Sequence, residues 1–168
     1  LKNELDYGTA AFPEANMKEF KKNPNFFVAG SKAGFGPGIW FNNDTYPLNR
    51  KEVRQAIAYA IDREEVTLVA IADGGTAVKS MAGFVDALVP IWLSKDVQAK
   101  INPYQKDLKK AEALLTGIGF KKGADGIWVD DKGKKLEFEM SVPADFTDWA
   151  GTAENIKEQL KDLGINII

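Results

Sequence analysis

Apolar residues recur at helical spacing through much of this chain. Val53, Ile57 and Ile61 fall every fourth residue, with Ala56 and Ala60 beside them. That pattern makes one closely packable helix face. Asn49 with Glu52 has the form of a capping box, and Asp62 with Glu65 repeats it. Helices are therefore predicted at 50–62 and 63–73, the second stopped by Gly74-Gly75. Three more helices follow from the same reasoning. One runs from Glu14 to Lys22 and closes before Pro24, and a short one covers Lys95 to Lys100. The third is opened by Pro103-Tyr104, turns Leu108, Ala111, Leu114 and Leu115 inward, and ends at Gly117 and Gly119. A final helix carries Ala150, Ala153, Ile156, Leu160 and Leu163 along one side and stops at Gly164.

Strands are expected at Lys2 to Tyr7, Phe26 to Ala29, Ile39 to Asn42 and Ile165 to Ile168. Ile127-Trp128-Val129, a turn at Asp130-Asp131-Lys132-Gly133, and Leu136 to Val142 read as a hairpin. Leu136, Phe138 and Met140 alternate there with Glu137 and Glu139, one face inward and one toward solvent. Residues 76–93 show no period. Met81, Phe84, Leu88, Val89, Ile91 and Trp92 are too apolar for a free loop, so this segment is expected to be pinned on the core. Helices alternating with strands, one pair a hairpin, predict an α/β fold: a mixed sheet flanked by helices.

Composition narrows the function. A length of 168 residues suits one domain. The net charge of −2, with Lys and Arg spread among acids, argues against a nucleic-acid partner. Zero cysteines exclude disulfides, and zero histidines remove the usual neutral-pH base and the commonest metal ligand. Ser-His and Cys-His catalysis are thereby excluded. The 24 acids leave a carboxylate-dependent glycoside hydrolase as the enzymatic alternative. A partner-docking module is a further alternative. The reading favoured is a non-enzymatic protein with no cofactor and no metal. Gly34, Gly36 and Gly38 precede a strand, not a helix, and Pro37 lacks an amide, so they make a turn, not a phosphate cradle. Asp125, Asp130 and Asp131 lack the spacing of a calcium loop and read as hairpin-turn acids.

Trp40-Phe41-Asn42, a loop, and then Val-Arg-Gln-Ala-Ile-Ala-Tyr-Ala-Ile-Asp-Arg from Val53 to Arg63 resemble the family 5 extracellular solute-binding proteins. These are the oligopeptide- and dipeptide-type receptors of bacterial ABC importers. Leu1 to Asp6 resembles a strand of that family, with Asn3 where a Gly is usual. Ala111 to Phe120 resembles a helix end, with Ile118 in place of an Ala, and Ile156 to Ile167 resembles a later helix and strand. The resemblance implies one lobe of a type II periplasmic-binding-protein fold. It also implies that residues 1–168 form a single lobe, incomplete at both ends of a longer parent chain. The implied ligand is an oligopeptide or an oligosaccharide. The implied partners are the second lobe of the same receptor and an ABC permease. The implied location is the periplasmic or extracellular face of a bacterial cytoplasmic membrane, with a lipid anchor on the full-length protein.

Four residues are candidate ligand contacts: Trp149, Asn42, Trp40 and Asp148. Trp149 sits in Asp145-Phe146-Thr147-Asp148-Trp149, at a helix N-terminus where a ring either faces a cleft or fixes the helix entry. Thr147-Asp148-Trp149 resembles the oligosaccharide-binding branch of the family, whose indoles stack on sugar rings. Asn42 is either a turn residue bonding its own backbone or a cleft amide. Trp40 and Trp128 lie on expected strands, where a Trp is more often core than ligand site. Arg54 and Arg63 are expected to make helix-surface ion pairs near Glu52, Asp62 and Glu65.

Overall fold

The computed structural model describes residues 6–8, 14–29, 36–71, 75–143 and 145–168. Most of the expected strand at Lys2 to Tyr7, most of the Gly30 to Gly38 loop, and residues 72–74, the expected end and stop of the second helix, lie outside them. The described helices are α1 (Glu14–Lys22), α2 (Lys51–Ala60), α3 (Arg63–Ile71), α4 (Val89–Trp92), α5 (Lys95–Gln98), α6 (Leu108–Gly117) and α7 (Thr147–Leu163). The strands are β1 (Lys121–Lys122), β2 (Trp128–Val129), β3 (Glu137–Phe138) and β4 (Asn166–Ile167).

The apolar stripe of α2 is the centre of the core. Val53, Ala56, Ile57 and Ala60 are buried against Ala111 and Leu115 of α6 and Ile156, Leu160 and Leu163 of α7. Small Ala side chains let these helices approach closely, and each large apolar side chain buried contributes roughly 1.5–3 kcal/mol. Phe120, Trp128, Leu136, Ile165 and Ile167 close the core from the strands.

The strands pair in both senses. β1 and β2 are antiparallel, with Lys121 opposite Val129. β3 and β4 are parallel, joined by the crossover helix α7. Trp128 ties the two pairs together: its N–H donates to the Gly164 carbonyl, and its carbonyl accepts from Leu136 N. Its indole Nε1 donates to the Leu163 carbonyl at 2.8 Å. Gly164 ends α7 with φ 97°, and a Cβ there would run into the Gly126 carbonyl. Only glycine fits that left-handed position.

Several expectations are corrected. The second hairpin strand makes one antiparallel bridge, Lys135 with Val129, and then turns to pair with β4. The β1–β2 pair was not foreseen. Residues 26–29 and 39–42 form no strand among the described residues. A strand needs hydrogen-bonding neighbours for its backbone groups, and no described strand pairs with these residues. Arg50, not Asn49, is the N-cap of α2, with φ −82° and ψ 124° and no side-chain bond. Asp62 does cap α3, accepting from the amides of Glu64 and Glu65. Glu65 does not complete the box; it accepts from Asn155 of α7. α6 begins later than expected, at Leu108, because Asp107 caps it and Tyr104 takes a left-handed φ of 43°. The apolar segment 76–93 is only partly pinned. Phe84 and Trp92 stack on each other at 5.1 Å, leaving Ile91 72% and Trp92 62% exposed.

Candidate functional site

The crossover from β3 through α7 to β4 sets the geometry. The chain leaves the carboxyl end of β3 and returns at the amino end of α7, the place where open α/β sheets bind ligands. α7 starts at Thr147, so Asp148 and Trp149 sit in its first turn and not in the preceding loop. Trp149 is half-buried and packs against Phe146, with ring centres 5.4 Å apart and planes tilted by 35°. Phe146 is 54% exposed. The two rings therefore form one aromatic surface open on a side. Asp148 is half-buried on the same turn, its carbonyl accepting from Thr152 Oγ1 at 2.9 Å. A carboxylate there complements the positive end of the helix.

Trp40 is not a core residue. It is 81% exposed, and its indole lies back over Gly38, where a Cβ would meet the ring at 3.3 Å. The core expectation fails for Trp40 because its segment finds no strand partner, and holds for Trp128. Asn42 shows the turn geometry: its Oδ1 accepts from Asp44 N at 3.0 Å. It also lines a groove of about 360 Å³, together with Tyr46, Leu48, Lys134, Glu137, Phe138 and Glu139. Trp40, Asp148 and Trp149 do not line it. Among the described residues no hydrogen bond or ring contact joins Trp40, Asn42 and the Asp148–Trp149 turn.

The acids of the hairpin turn do structural work. Asp130 Oδ1 accepts from the amides of Lys132 and Lys134, both at 2.8 Å. Its Oδ2 is buried without a partner. Asp131 accepts from the Tyr46 hydroxyl at 2.6 Å, and the Lys132 ammonium stands 4.5 Å from the Tyr46 ring centre. Burial first, then the bond to Asp131 and the charges of Asp130 and Asp131, push the Tyr46 phenol up to about 12. Asp125 meets Lys135 at 2.6 Å, and that hydrogen bond holds the Asp125 carboxyl below its ordinary value.

Both arginines depart from the ion-pair expectation. Arg54 donates to the Leu48 carbonyl at 2.6 Å. Arg63 binds three carbonyls: Val78 through Nε, Tyr104 through Nη1 and Pro103 through Nη2, at 2.7–2.8 Å. Burial lowers its pKa. The planar fork fits carbonyls arriving from two loops, and sequence spacing carries no trace of that arrangement. Phe146 was also missed as a partner of Trp149. Its position three residues earlier is the spacing that brings side chains together on a helical turn.

The chain matches the family described as bacterial extracellular solute-binding proteins, family 5 middle, over residues 1–168. It belongs to that family. Among curated relatives it is 31% identical, over 116 residues, to a probable ABC transporter-binding protein of Deinococcus radiodurans, covering 68% of this chain and 18% of that protein. Among solved structures it resembles the mannohexaose-bound periplasmic oligopeptide-binding protein of Thermotoga maritima, with 28% identity and a TM-score of 0.67. That match covers 93% of this chain and 30% of the other. The oligopeptide-binding protein AppA of Bacillus subtilis, in complex with a nonapeptide, aligns at 28% identity and a TM-score of 0.58, over 76% of this chain and 24% of that one. The α/β architecture is that of type II periplasmic-binding proteins. The family is one of extracellular solute-binding proteins. The chain spans between 18% and 27% of the length of the curated relatives it matches.

Proposed function

We propose that these residues are part of one lobe of an ABC-importer receptor that captures an oligopeptide without altering it. The observation that carries this reading is the Phe146–Trp149 aromatic surface at the amino end of α7, in a chain matching a solute-binding family along its whole length. Rings of this kind hold a ligand by contact area and stacking, and the Asp148 carboxylate beside them accepts a hydrogen bond from an ammonium, amide or hydroxyl group. Trp40, exposed on its segment, and the Asn42 amide are further contacts under this reading. In the complete receptor a second lobe closes over the solute, and the solute shifts the open–closed equilibrium by binding the closed form better. The closed receptor presents itself to a membrane permease from the periplasmic or extracellular face, held there by a lipid anchor.

Oligosaccharide is the second reading. The Thermotoga maritima relative holds mannohexaose, and an indole beside a phenyl ring suits a sugar face as well as a peptide side chain. Calorimetry on the full-length receptor with mixed oligopeptides and with manno-oligosaccharides separates the two. Peptide heats without sugar heats support the first reading; sugar heats with a shift in tryptophan emission support the second. Trp149→Ala is expected to weaken either ligand roughly 2- to 10-fold, the worth of one aromatic contact. Turnover of a chromogenic glycoside, lost on Asp→Asn substitution, would replace both with a hydrolase. Absence of any solute binding would favour a partner-docking module.

A further inference from the structure

Residues 78–100 carry apolar side chains outside the core. No residue of α4, of α5 or of the short 3-10 helix Asp86–Leu88 is buried. Ile91 and Trp92 are mostly exposed, and Met81 and Val97 are exposed as well. Phe84 packs on Trp92, and neither ring belongs to the core. The segment is fixed all the same. Asp86 accepts from Lys79 N at 2.7 Å, Ser80 N at 2.9 Å and Ser80 Oγ at 2.6 Å. Arg63 holds the Val78 carbonyl, and Gln98 Nε2 donates to the Leu93 carbonyl at 2.7 Å. These bonds present the apolar side chains outward in one arrangement, and an exposed apolar patch of this kind marks a contact surface. Basic charge surrounds it. From Lys79 to Lys110 the chain has six lysines against three aspartates, although its net charge is −2. Two of those aspartates are already engaged, Asp86 by residues 79–80 and Asp107 as the cap of α6. All six lysines are exposed. Lys110 stands 4.5 Å from the Tyr59 ring centre, and Asn102 donates to the Tyr59 hydroxyl at 2.7 Å, so the lysines that open α6 lie beside the end of this segment.

We propose that this surface rests on an anionic phospholipid bilayer. Ile91 and Trp92 enter the headgroup layer, and Lys79, Lys95 and Lys100 meet the lipid phosphates. An indole settles at the boundary between headgroups and acyl chains, where its ring is in apolar surroundings and its N–H in polar ones. Lysine stems lie along the same boundary with the ammonium in water. Apolar contact and attraction to anionic lipid then add. The four-residue α4 lies on the membrane and does not cross it. The inference rests on the receptor's working at a membrane face, not on which solute it takes. Charge selects this occupant. A second copy brings the same lysines against these lysines, and like charges repel. An uncharged protein or solute surface gives the lysines nothing to pair with. A sheet of lipid phosphates pairs with them, and the layer beneath it takes the indole.

The test is co-sedimentation of the full-length receptor, made without a lipid anchor, with vesicles of two compositions. One is phosphatidylglycerol and phosphatidylethanolamine in equal parts, and the other is phosphatidylcholine alone. The expected result is partitioning at least about 10-fold stronger onto the anionic vesicles, weakening as salt is added. The double variant Ile91→Ser, Trp92→Ser should lower that partitioning about 10-fold or more with an unchanged melting temperature. Lys95→Gln and Lys100→Gln should each lower it about 5-fold. Equal partitioning onto both vesicles, or binding unmoved by these substitutions, overturns the inference. A lower melting temperature in the double variant means that the rest of the receptor covers Trp92, and overturns it too. So does a double variant that loses solute binding or self-association and keeps its lipid binding, which assigns the surface to cargo or to a second copy. Calorimetry with oligopeptides on the parent protein keeps the two readings apart. Solute heats without lipid binding overturn this inference alone, and lipid binding without solute heats overturns the receptor reading alone.

Discussion

The two halves of the family signature end in opposite surroundings. The helical half, Val53 to Ile61, is buried between α6 and α7. The strand half, Trp40-Phe41-Asn42, is extended and open, with Trp40 mostly exposed and only Phe41 resting on the core. The cause lies in the backbone. A helix closes its own hydrogen bonds and needs a neighbour only for one face. A strand needs a neighbour for its peptide groups as well, and without one its side chains have nothing to pack on.

The contrast can be broken most directly by stability. Leu115→Ala should lower the unfolding free energy by about 2–5 kcal/mol, because it leaves a cavity against α2. Trp40→Ala should change it by less than about 0.5 kcal/mol. Denaturant unfolding compares them, and equal losses would mean that residues 39–42 are packed after all. Trp128→Phe keeps the ring but strands the Leu163 carbonyl, and should lower stability by about 1–3 kcal/mol. The caps sharpen the picture at smaller scale. Asp62→Ala should lower stability by about 1 kcal/mol, and Asn49→Ala should leave it nearly unmoved, because only Asp62 accepts helix amides.

The smallest effect is in alkali. The Tyr46 phenol is raised from 10.0 to about 12 in the folded state. The protonated phenol is thus favoured by folding. Its contribution is full below pH 10 and is lost as pH rises toward 12. Tyr46→Phe should flatten that part of the stability profile, read by unfolding at a series of pH values. A profile identical to that of the parent protein would remove the Tyr46–Asp131 contact from the account.

Much of the helical scaffold was legible. α1, α2, α3 and α7 lie where the period placed them, and α6 ends where its glycines placed the stop, since helix faces and glycine stops are written locally. The strand pairings were not. β1 carries only Lys121 and Lys122, which have no strand pattern of their own. Leu136 to Met140 alternate as expected, yet alternation says which face is buried and not which strand lies alongside. The candidate site divides the same way. That Trp149 sits at the amino end of a helix was readable from its neighbours; its packing on Phe146 and the separate groove beside Asn42 were not.

Local order alone determined the helices, the left-handed stop at Gly164, the Asp62 cap and the membership signature in Val53 to Arg63, because each depends on residues within a turn or two of one another. Tertiary structure decided the rest: that Trp128 goes inside while Trp40 stays out, that Arg63 gathers carbonyls from two loops, and that β3 pairs with β4. Those outcomes depend on which distant groups arrive beside a residue, and backbone hydrogen bonding between segments far apart leaves no mark in the spacing of either.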